Sequence, residues 1–255
     1  MYKHSVLIGV GEMGGVFARG LLRLGHAIYP VTRHVPLADA CREVGDPELV
    51  LVAVGEQDLS AVLQQMPAPW RERLCLLQNE LLPSDWEGIA DPTVISVWFE
   101  KKPGREAKEI IPSPVYGPQA ELIGRALGTL DLNTRRLASA DELLFELVLK
   151  NVYILTSNIA GLCFDGSVGE LWERHPQYTR DLAMEVIDIQ QALTGRTFDR
   201  EALLQAMLTA FRGDPEHHCL GRSAPARLRR AIAHTDRFGL EAPLMRKLQA
   251  RLSIA

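Results

Sequence analysis

Ser5-Val6-Leu7-Ile8-Gly9-Val10-Gly11-Glu12-Met13-Gly14 runs an apolar strand-like stretch straight into a G-x-G-x-x-G pattern. Ser5 to Gly9 reads as a short buried strand, and Val16 to Leu24 carries apolar residues at helical spacing before stopping at Gly25. The glycines therefore occupy a strand-to-helix turn. There Gly9 permits the tight turn, Gly11 lets the backbone approach a pyrophosphate, and Gly14 lets the helix lie close to the sheet. Unpaired N–H groups and the positive dipole end at the helix start favour an anion. Glu12 and Met13 complete the phosphate-facing turn. This predicts a dinucleotide site; a glycine-rich turn without a ligand is the other reading.

The end of the second strand selects the dinucleotide. Ala27-Ile28-Tyr29-Pro30-Val31 reads as that strand, although Pro30 cannot donate to a ladder. It runs on as Thr32-Arg33-His34, with no carboxylate before Asp39 to hold an NAD ribose. Arg33 is placed instead to receive a 2′-phosphate, with Thr32 and His34 as helpers, so NADP(H) is the expected cofactor. A solvated loop arginine is the alternative.

Working outward, strand and helix patterns alternate. A short helix is expected at Leu37–Val44, strands at Leu49–Val54, Leu74–Gln78 and Val94–Trp98, and a helix at Asp58–Met66. That alternation predicts an α/β Rossmann domain, a doubly wound and mostly parallel sheet. Pro112, Pro114, Gly117 and Pro118 then punctuate the chain. Beyond them 141–164, 176–194, 199–212, 223–237 and 241–252 all read as helices. We expect an NADP-binding Rossmann domain at 1–136 and an all-α C-terminal domain at 137–255 for substrate and dimerisation.

Composition removes other classes. Lys+Arg is 28 against Asp+Glu 32, a net charge of −4, which argues against nucleic acid or an anionic membrane as partner. The chain shows no secretory h-region and no 18-residue apolar run, and Cys41, Cys75, Cys163 and Cys219 are scattered as in a reducing compartment. A cytoplasmic protein acting on a small-molecule substrate is expected. His217-His218-Cys219 has no second ligand cluster, so no metal site is expected, and the arginines at 222, 227, 229 and 230 read as a solvated helix face.

Lys150 interrupts an apolar helical run. At about 100° per residue, Ser157 falls about 20° from it, Asn158 about 80°, and Tyr153 about 60° the other way. The stripe carries an ammonium, a hydroxyl and an amide. A lysine held there can protonate a carbonyl oxygen as hydride reaches the carbon. A lysine on the wet side of an amphipathic helix fits the periodicity as well.

These residues resemble the ketopantoate reductase family, which pairs a Rossmann domain with an all-α domain. Besides the glycine turn and basic strand end, Gln78-Asn79-Glu80 is similar to its H-N-G segment, and Val115-Tyr116-Gly117-Pro118 to the end of its Rossmann domain. Lys150, Asn158, Gly169-Glu170-Leu171 and His175-Pro176 follow its spacing most closely. The resemblance implies an NADPH-dependent reductase of a 2-keto acid, with Lys150 as general acid. Asn158 and Asn79, beside Ser157, would meet substrate, Asn79 also lying near the nicotinamide. It also implies a homodimer. The departures are specific: Ile154 stands where the family has a second asparagine, Ser223 where it has a glutamate, and Ala53-Val54-Gly55-Glu56 where it has a cofactor-facing lysine. A non-catalytic NADP(H) sensor or scaffold and an imine reductase of similar architecture are the alternatives.

Overall fold

The computed structural model describes residues 3–252; the outermost residues of the two expected domains, 1–2 and 253–255, lie outside them. The chain divides into two compact units, Met1–Glu146 and Leu147–Ala255.

The first unit is built on a seven-stranded sheet. Strands β1 (His4–Ile8), β2 (Ala27–Val31), β3 (Leu49–Val52), β4 (Leu74–Leu76) and β5 (Thr93–Ile95) alternate with helices α1 (Glu12–Arg23), α2 (Leu37–Val44) and α3 (Leu59–Gln64). A small hairpin follows, β6 (Phe99–Glu100) and β7 (Lys108–Glu109), then β8 (Ser113–Tyr116), α4 (Ala120–Gly128) and β9 (Thr134–Arg136). The sheet order is β2-β1-β3-β4-β5-β8-β9. Every pairing from β2 through to β5 is parallel, β5–β8 is antiparallel, and β8–β9 is parallel again. Strand β3 is buried at all its positions, as a parallel strand covered on both faces must be.

Strand order reverses about β1: β2 lies on one side and β3 on the other. Ligands of such sheets bind beyond the carboxyl ends of the strands at that switch point. Pro30 is explained by the same order. Strand β2 is an edge of the sheet and Pro30 is exposed there, so its missing N–H breaks no ladder.

Helix α1 buries Gly14, Val16, Phe17, Gly20 and Leu21, the spacing of one helical face. Two of these are glycines because the neighbours are too close for a side chain. A Cβ at Gly14 would strike the Gly9 carbonyl oxygen, and one at Gly20 the carbonyl of Ala126 in α4. Phe17 in turn packs on Phe99, with ring centroids 6.1 Å apart. Phe99 belongs to the apolar interior of this unit, and Trp98 beside it is fully buried.

Helix α5 (Ala140–Ala160) begins in the first unit and continues into the second, so the compact units divide inside it rather than before it. Its first turns are held by the sheet unit: Arg135 on β9 pairs with Glu146 at 2.5 Å. By length and hydropathy (mean 1.3) α5 is apolar enough to cross a membrane, yet 83% of that window is buried within the protein, as for a core helix.

The second unit continues with α6 (Val168–Arg174), α7 (Pro176–Thr194), α8 (Arg200–Gly213), α9 (Ala224–Phe238) and α10 (Pro243–Leu252). Two buried polar groups fix how these helices pack. Asn151 of α5 donates to Gln190 of α7 at 2.9 Å. The Glu185 carboxylate accepts the backbone N–H groups of Leu244 and Met245 at 2.7 and 3.1 Å, satisfying orphan donors in the first turn of α10.

The closeness of α1 to its own turn gives a direct test. Gly14→Ala forces a Cβ against main chain that has no flexible end to yield, so unfolding free energy should fall by about 1–3 kcal/mol in urea denaturation. An unchanged midpoint would contradict the close approach.

Candidate active site

The glycine turn takes its shape from what surrounds it. Gly9 has φ of 93°, a left-handed conformation, and a Cβ there would meet the Ala53 carbonyl oxygen at 2.6 Å. Its N–H donates to the Val31 carbonyl at 3.0 Å, tying the turn to the end of β2. Gly11 is the opposite case: a Cβ there would find no atom within 4 Å. The backbone at Gly11 thus faces open space at the first turn of a 12-residue helix, the arrangement a pyrophosphate requires.

That space belongs to a groove of about 1090 Å³ at the carboxyl ends of β1, β2 and β3, lined among others by Gly9, Gly11, Thr32, Arg33, Val54 and Asp58. Thr32 and Arg33 are exposed at its edge. The acid nearest along the chain, Asp39, sits in α2 and bonds Arg42. Met13 is partly buried against the apolar interior of the sheet unit. The Glu12 side chain points to Lys101, 2.9 Å away.

Asn79 is exposed on a turn directly after β4, followed by Glu80 at φ 59°. Where the related segment has glycine, this chain holds a glutamate in the left-handed region. Gln78 locks the turn. Its amide donates to the carbonyls of Val52 at 2.7 Å and Val54 at 3.4 Å while its oxygen accepts the Leu77 N–H at 3.1 Å.

In the helical unit Lys150 is half-buried, with Nζ 5.7 Å from the centroid of the Tyr153 ring. It does not lie on a wet helix face. Burial, reinforced by the nearby Arg227 guanidinium, lowers its amine from the ordinary 10.5 to about 7. Asn158 is 7% exposed. Its oxygen accepts from Arg227 Nη1 at 2.6 Å, and its Nδ2 donates to the Cys219 carbonyl at 3.2 Å. Ser157 is almost fully buried, and its hydroxyl donates back to the Tyr153 carbonyl at 2.8 Å, within the helix.

Arg227 corrects the sequence reading: it is 8% exposed, not part of a solvated face. It lies one turn after Ser223, inside α9. The loop before α9 crosses close to α5. Gly161 admits the backbone of Cys219 and Leu220 where a Cβ would sit within 2.9 Å of it, and the His217 ring lies 6.1 Å from that of Tyr153.

The segment through Gly169, Glu170 and His175 has a structural explanation. Ser167 and Glu170 form a capping box at α6, accepting each other's backbone N–H at 3.3 and 3.1 Å. His175 stacks on Phe164 at 3.9 Å, and Pro176 starts α7 at a position where its missing N–H costs nothing.

The sequence matches no family model and no curated protein. Solved structures match over nearly the whole chain. A 2-dehydropantoate 2-reductase from Methylococcus capsulatus superposes with a TM-score of 0.69 at 12% identity, covering 98% of this chain and 96% of that one. A dimeric ketopantoate reductase from Staphylococcus aureus gives 0.61 at 15% identity, covering 98% of each chain. D-mandelate dehydrogenase in complex with NADH gives 0.64 at 14% identity, covering 97% of this chain and 96% of that one. The fold is therefore a Rossmann sheet domain followed by a helical domain. That fold is shared with the ketopantoate reductases among these matches.

The lowered amine has a thermodynamic consequence. Between about 7 and 10.5 Lys150 is charged in the unfolded chain and neutral in the folded one, so its contribution to stability rises with pH across that window. The cost of the buried ammonium is greatest below it. Lys150→Met should therefore raise Tm by a few degrees near about pH 6.5 and by less near about pH 9.5. A gain that grows with pH would contradict the placement of the amine.

Proposed function

We propose that the chain is a divergent member of the ketopantoate reductase family: an NADPH-dependent reductase of a small 2-keto acid or related ketone. The observation that carries the reading is Lys150, an amine half-buried on an apolar helix with its proton affinity near neutrality. Such a group can be charged before the reaction and give up its proton during it.

The backbone at Gly9, Gly11 and Gly14 fits a pyrophosphate, and Arg33 with Thr32 fits a 2′-phosphate at the groove edge. When bound, the nicotinamide supplies hydride to the carbonyl carbon. Lys150 Nζ donates its proton to the carbonyl oxygen, offsetting the charge that develops there. Asn79, exposed after β4, offers an amide to the substrate. Asn158 spends its amide on Arg227 and the Cys219 carbonyl, so it acts by holding α5, α9 and the loop before α9 in register around the lysine.

Ile154, 6% exposed, replaces a hydrogen-bonding amide with an apolar wall. That favours 2-keto acids without the hydroxyl a second asparagine would meet, so the substrate differs from ketopantoate. The dimeric Staphylococcus aureus enzyme supports a homodimer. The engagement of Asn158 by protein groups favours a second reading, an NADP(H)-binding protein without turnover.

A panel of 2-keto acids assayed by NADPH oxidation separates the two. With the best substrate, Lys150→Ala should lower kcat by about 10²–10⁴-fold and leave NADPH affinity within a few-fold. Reduction by the unaltered chain should weaken as pH rises above about 7, where the proton donor is lost. Full turnover by Lys150→Ala would remove the lysine from the mechanism. No turnover on any ketone would favour the second reading.

A further inference from the structure

Glu12 presents a difficulty for the cofactor site. It follows Gly11 directly in the first turn of α1, where the proposed pyrophosphate would lie, and a carboxylate there repels a polyanion.

The fold brings a cation to the same turn. Lys101 leaves the end of β6 with its side chain only 15% exposed and reaches Glu12 Oε2 at 2.9 Å. Its ammonium also donates to the Lys102 carbonyl at 2.7 Å, leaving one of its three N–H groups for another acceptor. The hairpin that carries it is pinned to α1 at a second point. Arg19 makes a two-pronged contact with Glu106 at 3.1 and 2.6 Å, and Phe99 packs on Phe17. A small cavity of about 360 Å³ opens between these groups, lined by Val10, Gly11, Glu12, Gly15, Arg19 and Lys101.

We infer that Lys101 is a cofactor-binding residue: it neutralises Glu12 and presents an N–H to a phosphate oxygen beside Gly11. The inference rests on the cofactor reading proposed above. In the absence of Lys101, the bare Glu12 carboxylate would oppose the phosphates. Removing Glu12 as well should relieve that opposition, and a purely structural ion pair would give no such relief in ligand affinity.

The test is isothermal titration of NADPH into the full chain and three variants, with a thermal melt of each to establish folding. Lys101→Gln should weaken binding by about 10-fold or more, Glu12→Gln should bind at least as well as the unaltered chain, and the double variant should recover most of the loss. Lys101→Arg, which keeps the charge, should stay within about 3-fold. If Lys101→Gln folds and binds like the unaltered chain, or Glu12→Gln fails to rescue it, the inference is overturned while the cofactor reading stands. If the unaltered chain binds no NADPH, the cofactor reading itself falls, and this inference with it.

Discussion

The sheet unit depends on a contact that excludes side chains: the Gly9 carbonyl against Gly14, with Gly9 itself against the Ala53 backbone. A methyl group at either position collides with main chain, which cannot rotate away as the end of a long side chain does. This approach lets α1 start immediately above β1 and lie flat on the sheet. It also leaves the Gly11 backbone turned to open space at the point where β1 and β3 part. The groove beside it is a consequence of that contact, since its walls are the carboxyl ends of β1, β2 and β3.

The helical unit meets a different constraint, a basic amine inside an apolar helix. Dry surroundings disfavour the charged form, and a second cation nearby disfavours it further. Both effects would be wasteful in a purely structural helix, where a leucine would pack better. Arg227 is itself ordered by Asn158, whose amide is held in turn by the carbonyl of Cys219. Three segments of the unit thus converge on the surroundings of one lysine.

Much of this was legible in the sequence, for reasons that can be named. The first five strands and the three helices between them announce themselves because a parallel sheet needs continuous apolar runs at regular spacing. Helices α7 to α10 show through their periodicity and their bounding Pro and Gly residues. What escaped was short or carried misleading punctuation. Pro114 reads in the sequence as punctuation, yet it sits inside β8, between β5 and β9, where its carbonyl accepts the Ser96 N–H at 2.9 Å. Helix α6 has only seven residues and depends on its capping box more than on an apolar face. At the candidate site, periodicity placed Lys150 on a polar stripe without deciding whether that stripe was wet. The structure decides it by half-burying the amine and bringing Arg227 of α9 near it, from some seventy residues away in sequence. Arg227 was lost among neighbouring arginines for the same reason: charge pattern alone does not tell which member turns inward.

The central claim is that the glycine turn and the basic end of β2 together hold a 2′-phosphorylated dinucleotide. Isothermal titration of the full chain with NADPH and, separately, with NADH tests it most directly. One charge-assisted contact to the 2′-phosphate contributes about 1.5–3 kcal/mol, so NADPH should bind about 10-fold to 150-fold more tightly than NADH. Equal affinity for the two, or tighter binding of NADH, would contradict the account.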